Sequence, residues 1–284
     1  MKLFARTERL PWRALALFAT ASLVTIALGA VAMAQDGIGP GLWLRNPIAW
    51  LVAGALAVFL ARRGWLAAWM APAALIVVAL SFIGPEQEGV HRWLGLGPIQ
   101  LNAAALALPA AITGFSRERA WLAIACFVLI AGLLAWQPDI SQLAGFAIAS
   151  FVLAAHRFGW RGAIVSLVLG AALIAVCLSR PDPLDPVPHV EGIFFMAWDK
   201  SPILSIAMAA GLGATALSPL LLWPIAELRW KALALGGYFA ATALACLFGA
   251  YPVPLAGYGL SFVVGWWLGI AALSVPANRE PKLG

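Results

Sequence analysis

Apolar runs close to one membrane thickness alternate with short polar stretches along this chain. A helix rises 1.5 Å per residue, so about 20 apolar residues cross a hydrocarbon core of about 30 Å. Ten such runs are predicted as membrane helices. They cover approximately residues 14–34, 47–61, 65–83, 98–115, 121–136, 140–155, 162–178, 203–223, 232–250 and 255–275. Several sit at the short end for a span, and the glycines and prolines inside them are tolerated in membrane helices. The first run follows Lys2, Arg6, Arg9 and Arg13 and ends at Ala32-Met33-Ala34, the layout of a signal peptide with a small-residue cleavage site. At about 20 residues it exceeds the apolar core of a signal peptide, so it is read as a retained helix.

Composition points the same way. The chain of 284 residues is 63% hydrophobic and 11% charged, against about 25% charged for a soluble domain. It cannot cover its own surface with polar groups, so lipid is its solvent. The net charge of +6 is scattered between apolar runs without a polybasic patch, so no nucleic-acid partner is expected. Cys126, Cys177 and Cys246 lie in apolar runs without metal or redox spacing and read as small core residues.

Charge also orients the drawing. With the N-terminus in the cytoplasm, fourteen of the eighteen lysines and arginines fall on inner segments, and only Arg45, Arg92, Arg180 and Lys200 fall outside. Eight of the twelve acids lean outward. This is the positive-inside bias, and it puts both termini in the cytoplasm. The fold class is therefore all-α: a polytopic membrane bundle of about ten helices, one domain over residues 1–284.

No predicted span carries a charge or a histidine near its middle, which argues against an ion-coupled transporter. No phosphate-binding glycine loop is present. The chemistry left is on the outer face. Residues 179–202 hold Asp182, Asp185, Glu191, Asp199 and His189. Glu191 opens the apolar run Gly-Ile-Phe-Phe-Met-Ala-Trp, where desolvation would raise its pKa and suit it to act as a base. The alternative is an interfacial acid that marks a helix start. Asp182 and Asp185 read as turn residues, and Asp199-Lys200 as a surface pair or a helix-start acid. Residues 84–97 form a second outer loop, in which Arg92 and Trp93 could anchor a lipid diphosphate or simply mark the interface. Gly265 and Gly269 are spaced for close helix packing.

At four segments the chain resembles the SEDS family (shape, elongation, division, sporulation) of FtsW/RodA peptidoglycan polymerases. His91-Arg92-Trp93, with Gly97 and Gln100 after it, resembles the family's outer-loop Arg-Arg-Trp followed by Gly and Gln-Pro-Ser-Glu. Gln137-Pro138-Asp139-Ile140 resembles its Gln-Pro-Asp-Leu, and His189-Val190-Glu191-Gly192-Ile193-Phe194 its His-Thr-Asp-Phe-Ile-Phe. Pro252-Val253-Pro254-Leu255 through Tyr258-Gly259 resembles the loop before the last helix. The order of the segments is the family's, over residues 84–284.

The resemblance implies a glycosyltransferase of the bacterial inner membrane that polymerises a lipid-linked peptidoglycan precursor on its outer face. Glu191 would be catalytic, with Arg92, Trp93, His189 and Gln100 binding substrate. A divalent cation, Mg²⁺ or Mn²⁺, would assist at the diphosphate, and a membrane-anchored transpeptidase (a penicillin-binding protein) would be the partner. The departures are Glu191 in place of Asp, and Ala103 and Leu106 where the family carries Glu and Lys. They keep two other readings open: a non-catalytic scaffold of division or elongation, and a transporter of the lipid-linked precursor.

Overall fold

The computed structural model describes residues 9–66, 69–115, 120–180 and 182–275. In lipid a backbone must satisfy its own hydrogen bonds, so the apolar runs close into helices. These are α1 (Leu10–Gln35), the short α2 (Pro40–Trp43), α3 (Arg45–Arg62), α4 (Met70–Leu80), α5 (Ala103–Phe115), α6 (Ala120–Trp136), α7 (Ile140–Leu178), α8 (Ile193–Lys200), α9 (Pro202–Leu217), α10 (Arg229–Leu244) and α11 (Leu260–Ser274). One small hairpin, β1 (Trp93–Leu96) with β2 (Ile99–Asn102), is the sheet among the described residues. The fold is an all-α polytopic membrane bundle. Five helical stretches are long and apolar enough to cross a membrane alone, and α4, α5, α6 and α11 belong to shorter apolar ones.

The 39 residues of α7 are two crossings joined at Gly159, whose φ of 68° and ψ of −159° break the helix. Most L-residues avoid that region, and glycine enters it freely. Counting the two halves separately, α1, α3, α4, α5, α6, α7, α9, α10 and α11 give the ten predicted crossings.

Three boundaries differ from expectation. The run predicted from residue 98 becomes helical only at Ala103. Residues 93–102 turn back through Gly97-Pro98, with Gly97 at φ 60°, and the Asn102 side chain caps the new helix by accepting the Ala105 N–H at 2.8 Å. The run predicted from residue 255 starts its helix at Leu260, because residues 251–259 form a buried irregular loop with Leu255 at φ 65°. The polar loop 179–202 contains the amphipathic helix α8, which places Ile193, Met196 and Ala197 against the bundle. Lys2, Arg6, Arg117, Arg119, Arg279 and Lys282 lie outside the described residues.

Lipid tails are as apolar as leucine, so helices associate here through close packing. Gly265 of α11 shows how close. A Cβ at that position would lie 2.0 Å from the Ala105 carbonyl of α5, and at Gly269 2.8 Å from Pro109 Cβ. The next residue, Trp266, is fully buried and stacks on Phe239 with centroids 4.0 Å apart. At one end of the bundle lie Arg62, Arg63, Arg157, Arg161 and Arg229, with Arg63, Arg161 and Arg229 over Phe59, Trp160 and Trp223. Charge bias assigns this basic end to the cytoplasm.

Candidate active site

At the other end, all five connections predicted to be external are tied to one another. Lys200 of α8 pairs with Asp36 after α1 at 3.1 Å. Asn46, at the start of α3, donates to the carbonyls of Gly257 (2.8 Å) and Leu255 (3.4 Å) and accepts from the Gly259 N–H (3.3 Å). That loop in turn holds the 189–191 segment. Tyr258 N–H donates to the His189 carbonyl at 2.8 Å, and Val253 N–H to the Val190 carbonyl at 3.2 Å. Gly257 makes the approach possible, since a Cβ there would lie 2.3 Å from the Val190 carbonyl oxygen.

Arg92 ties in the remaining two connections. Its Nε donates to the Gln137 carbonyl (3.0 Å), one Nη to the Pro138 carbonyl (2.7 Å), and the other lies 2.6 Å from Asp182 Oδ2. Asp182 thus does more than turn the chain, although its Oδ1 also accepts the Leu184 N–H. Asp199-Lys200 is not a pair within itself: Lys200 reaches Asp36.

Four of these connections enclose a polar cavity of about 140 Å³, and the one after α1 braces it from behind. Glu191, Arg92, Trp93 and Gln100 line it, together with Asn102, Asp139, Asp182, Asp185, Tyr251, Tyr258 and Ser261. Its floor is a fixed polar network. Asp139 caps α7 through Ser141 Oγ and the Gln142 N–H and accepts from Asn102 Nδ2 at 3.1 Å, while the Asn102 N–H donates to Ser261 Oγ at 2.7 Å. The Gln142 side chain is engaged by the Tyr238 hydroxyl.

Glu191 is half-buried. Burial pushes its carboxyl above the ordinary glutamate range, opposed by the Val187 N–H that donates to Oε2 at 2.8 Å. The backbone N–H of Glu191 itself opposes the shift in the same sense. Glu191 also precedes α8 by two residues, so its placement at a helix start holds as well. His189 is not among the lining residues. Its ring lies against Tyr258 (centroids 6.2 Å), and burial lowers its pKa, which favours the neutral imidazole. Gln100 is an exposed rim residue whose side chain takes a hydrogen bond from Gln87.

The arrangement of ten crossings, an external hairpin and five interlocked loops has known counterparts. The chain has the RodA fold. It superposes on the rod shape determining protein RodA of Thermus thermophilus with a TM-score of 0.60 at 22% identity, over 93% of this chain and 95% of that one. An aspartate-to-alanine mutant of the same RodA gives 0.57 at 23% identity, over 93% and 96%. A chain of a peptidoglycan synthase complex gives 0.62 at 22% identity, over 93% and 97%. No family profile and no curated protein matches the sequence.

On this RodA-like frame, the segments singled out in the sequence meet at one end of the bundle. Residues 92–100, 137–139, 189–191 and 251–259 all border or brace the cavity. Sequence reasoning missed Asn46 and Arg45, the capping role of Asn102 and the ion-pairing role of Asp182. Asn46 and Asn102 each carried a signal, a single amide at the border of an apolar run, the place of a helix cap or loop clamp. Arg45 donates to the Tyr258 hydroxyl at 2.8 Å. No such signal in the sequence pairs Arg45 with a residue 213 positions away.

Proposed function

We propose that this protein is a glycan polymerase of the SEDS type, working at the outer face of the bacterial inner membrane on a lipid-linked disaccharide-peptide. The observation that carries the reading is a half-buried carboxylate, Glu191, lining a polar cavity built by four of the five external connections and braced by the fifth through Arg45 and Asn46. A carboxyl that burial raises above the ordinary glutamate range is a stronger base than a solvated one, which suits general-base catalysis. In the reaction, Glu191 takes the proton of the acceptor sugar hydroxyl. That oxygen bonds to the anomeric carbon of the donor, and the lipid diphosphate leaves with the bonding electrons.

A cavity of about 140 Å³ is below the 300–1,000 Å³ of a typical ligand pocket. It receives the reacting edge of the acceptor, with the rest of the substrate above the rim formed by Trp93 and Gln100. Arg92 acts chiefly as a positioning residue, because Asp182 already balances its charge and two carbonyls take its N–H groups. His189 braces the base through its backbone bond to Tyr258. Asp182, Asp185 and Glu191 offer hard oxygen donors of the kind that suit Mg²⁺ or Mn²⁺. Among the described residues, however, no group of three acids, histidines or cysteines could hold a metal. A cation would thus arrive with the substrate's phosphates, as Mg²⁺ commonly does. The likeness to a chain of a peptidoglycan synthase complex supports a transpeptidase partner in the same membrane.

One observation favours a second reading, a non-catalytic scaffold with the same fold. Ala103, where the resemblance leads one to expect an acid, is buried as a plain methyl at the start of α5. Purified protein given the lipid-linked precursor decides between the two. The polymerase makes glycan and its Glu191→Gln variant does not. A scaffold makes none, and its Glu191→Ala variant supports growth where deletion of the protein does not.

A further inference from the structure

The four bases on the external end are not equally engaged. Arg92 faces Asp182, Lys200 faces Asp36, and Arg45 donates to the Tyr258 hydroxyl. Arg180 makes no ion pair among the described residues. Its guanidinium lies over the ring of Trp136, 4.6 Å from the centroid. Both residues line a second cavity, of about 210 Å³, on the far side of the bonds from Arg92 to Gln137 and Pro138.

This cavity has the chemistry of a lipid phosphate site. His91 lines it with Nδ1 buried and unpartnered, while Nε2 lies 3.7 Å from the Glu86 carboxylate. A protonated Nδ1 is a ready donor to a phosphate oxygen. The ring is held in place by stacking on Phe82. Beside the cavity stand Ile83, in the turn that follows α4, and Trp136 and Leu178, at the ends of α6 and α7, exposed by 84%, 65% and 63%. Exposed apolar residues of that size at the end of a membrane helix face lipid, and tryptophan there marks the headgroup level. The cavity therefore opens where a membrane-bound phosphate would lie, with its tail running down the helices.

We propose that Arg180 and His91 hold the diphosphate of a prenyl-linked substrate in this second cavity, next to the one that holds Glu191. The choice of a prenyl diphosphate over another phosphate amphiphile rests on the polymerase reading. That reaction joins two lipid-linked chains, so two phosphate groups must be accommodated at once, and Asp182 has already neutralised Arg92. Glu88 is the one acid lining this cavity. It opposes an anion, or shares a divalent cation with one.

The test is titration of the intact protein, in phosphatidylcholine nanodiscs with Mg²⁺, with farnesyl diphosphate. Farnesol and phosphatidylglycerol are the competitors. Saturable binding is expected, weakened at least tenfold by Arg180→Gln and severalfold by His91→Phe. It should be unchanged by Arg63→Gln, an arginine in the same kind of aromatic contact at the other end. Arg180 is exposed, so its variant should melt with wild type. Three results overturn the proposal: no binding, equal binding by Arg180→Gln, or displacement by phosphatidylglycerol as effective as by farnesyl diphosphate. Glycan synthesis is read separately. Arg180-dependent binding without glycan would remove the polymerase reading and keep the site, and glycan synthesis indifferent to Arg180→Gln would do the reverse.

Discussion

Arg92 Nη1 lies 2.6 Å from Asp182 Oδ2, joining two external loops that are 90 residues apart in the chain. The arginine is 8% exposed and the Asp182 side chain 30% exposed, so the pair is shielded on one side only. Breaking a buried pair costs 3–5 kcal/mol, and partial exposure lowers that. Asp182→Asn should therefore cost about 1–2 kcal/mol, and Arg92→Lys more, since lysine cannot also reach the Gln137 and Pro138 carbonyls in a planar fork. A double-mutant cycle on unfolding in detergent should return a coupling of about 1 kcal/mol. Additive effects would mean that the pair does not hold the loops together.

Gly257 tests whether the 251–259 loop positions the base. A methyl at this position would meet the Val190 carbonyl oxygen at 2.3 Å, and both neighbours are backbone, so the 189–191 segment has to move. A displacement of about 1 Å can cost ~10²-fold in rate. Gly257→Ala should lose glycan synthesis by about that factor. Gly213→Ala, where an added Cβ meets nothing within 4 Å, should not. Comparable rates for the two variants would separate the loop from the site.

The topology was legible because lipid makes strong demands. An apolar run of span length has few alternatives, and basic residues betray the inner side, so ten crossings and their direction could be read directly. The hairpin at 93–102 was not legible as a strand pair, since Leu-Gly-Leu-Gly-Pro-Ile continues the apolar character of the helix behind it. Only the turn geometry of Gly97-Pro98 and the cap at Asn102 separate the two. Glu191 stood out as a carboxylate opening an apolar run, and the structure keeps it half-buried. The engagement of Arg92 was invisible, because its partners come from residues 137, 138 and 182, which only folding brings near.

The desolvated carboxylate has a thermodynamic signature. Because the folded protein raises the pKa of Glu191 above the unfolded value of ~4.3, its contribution to stability is fully present below that pH. It is lost as pH rises through the folded value. Glu191→Gln does not titrate and should gain on wild type over that window. His189 has the opposite sign: its pKa is lowered, so its contribution is present above ~6.5 and lost as pH falls through the folded value. Melting temperatures of wild type and Glu191→Gln, measured from about pH 4 to pH 7, should diverge in favour of the variant as pH rises. Parallel curves would mean that Glu191 is solvated like any surface acid.

The most direct test of the central claim is the rate of glycan formation from lipid-linked precursor by wild type and Glu191→Gln across about pH 4 to pH 8. The account predicts a wild-type rate that rises with pH along an acidic limb displaced above ~4.3. It predicts at least ~10²-fold less glycan from the variant, in keeping with the contribution of a general base, and no such limb. Equal glycan from both proteins, or the same limb in both, would contradict it.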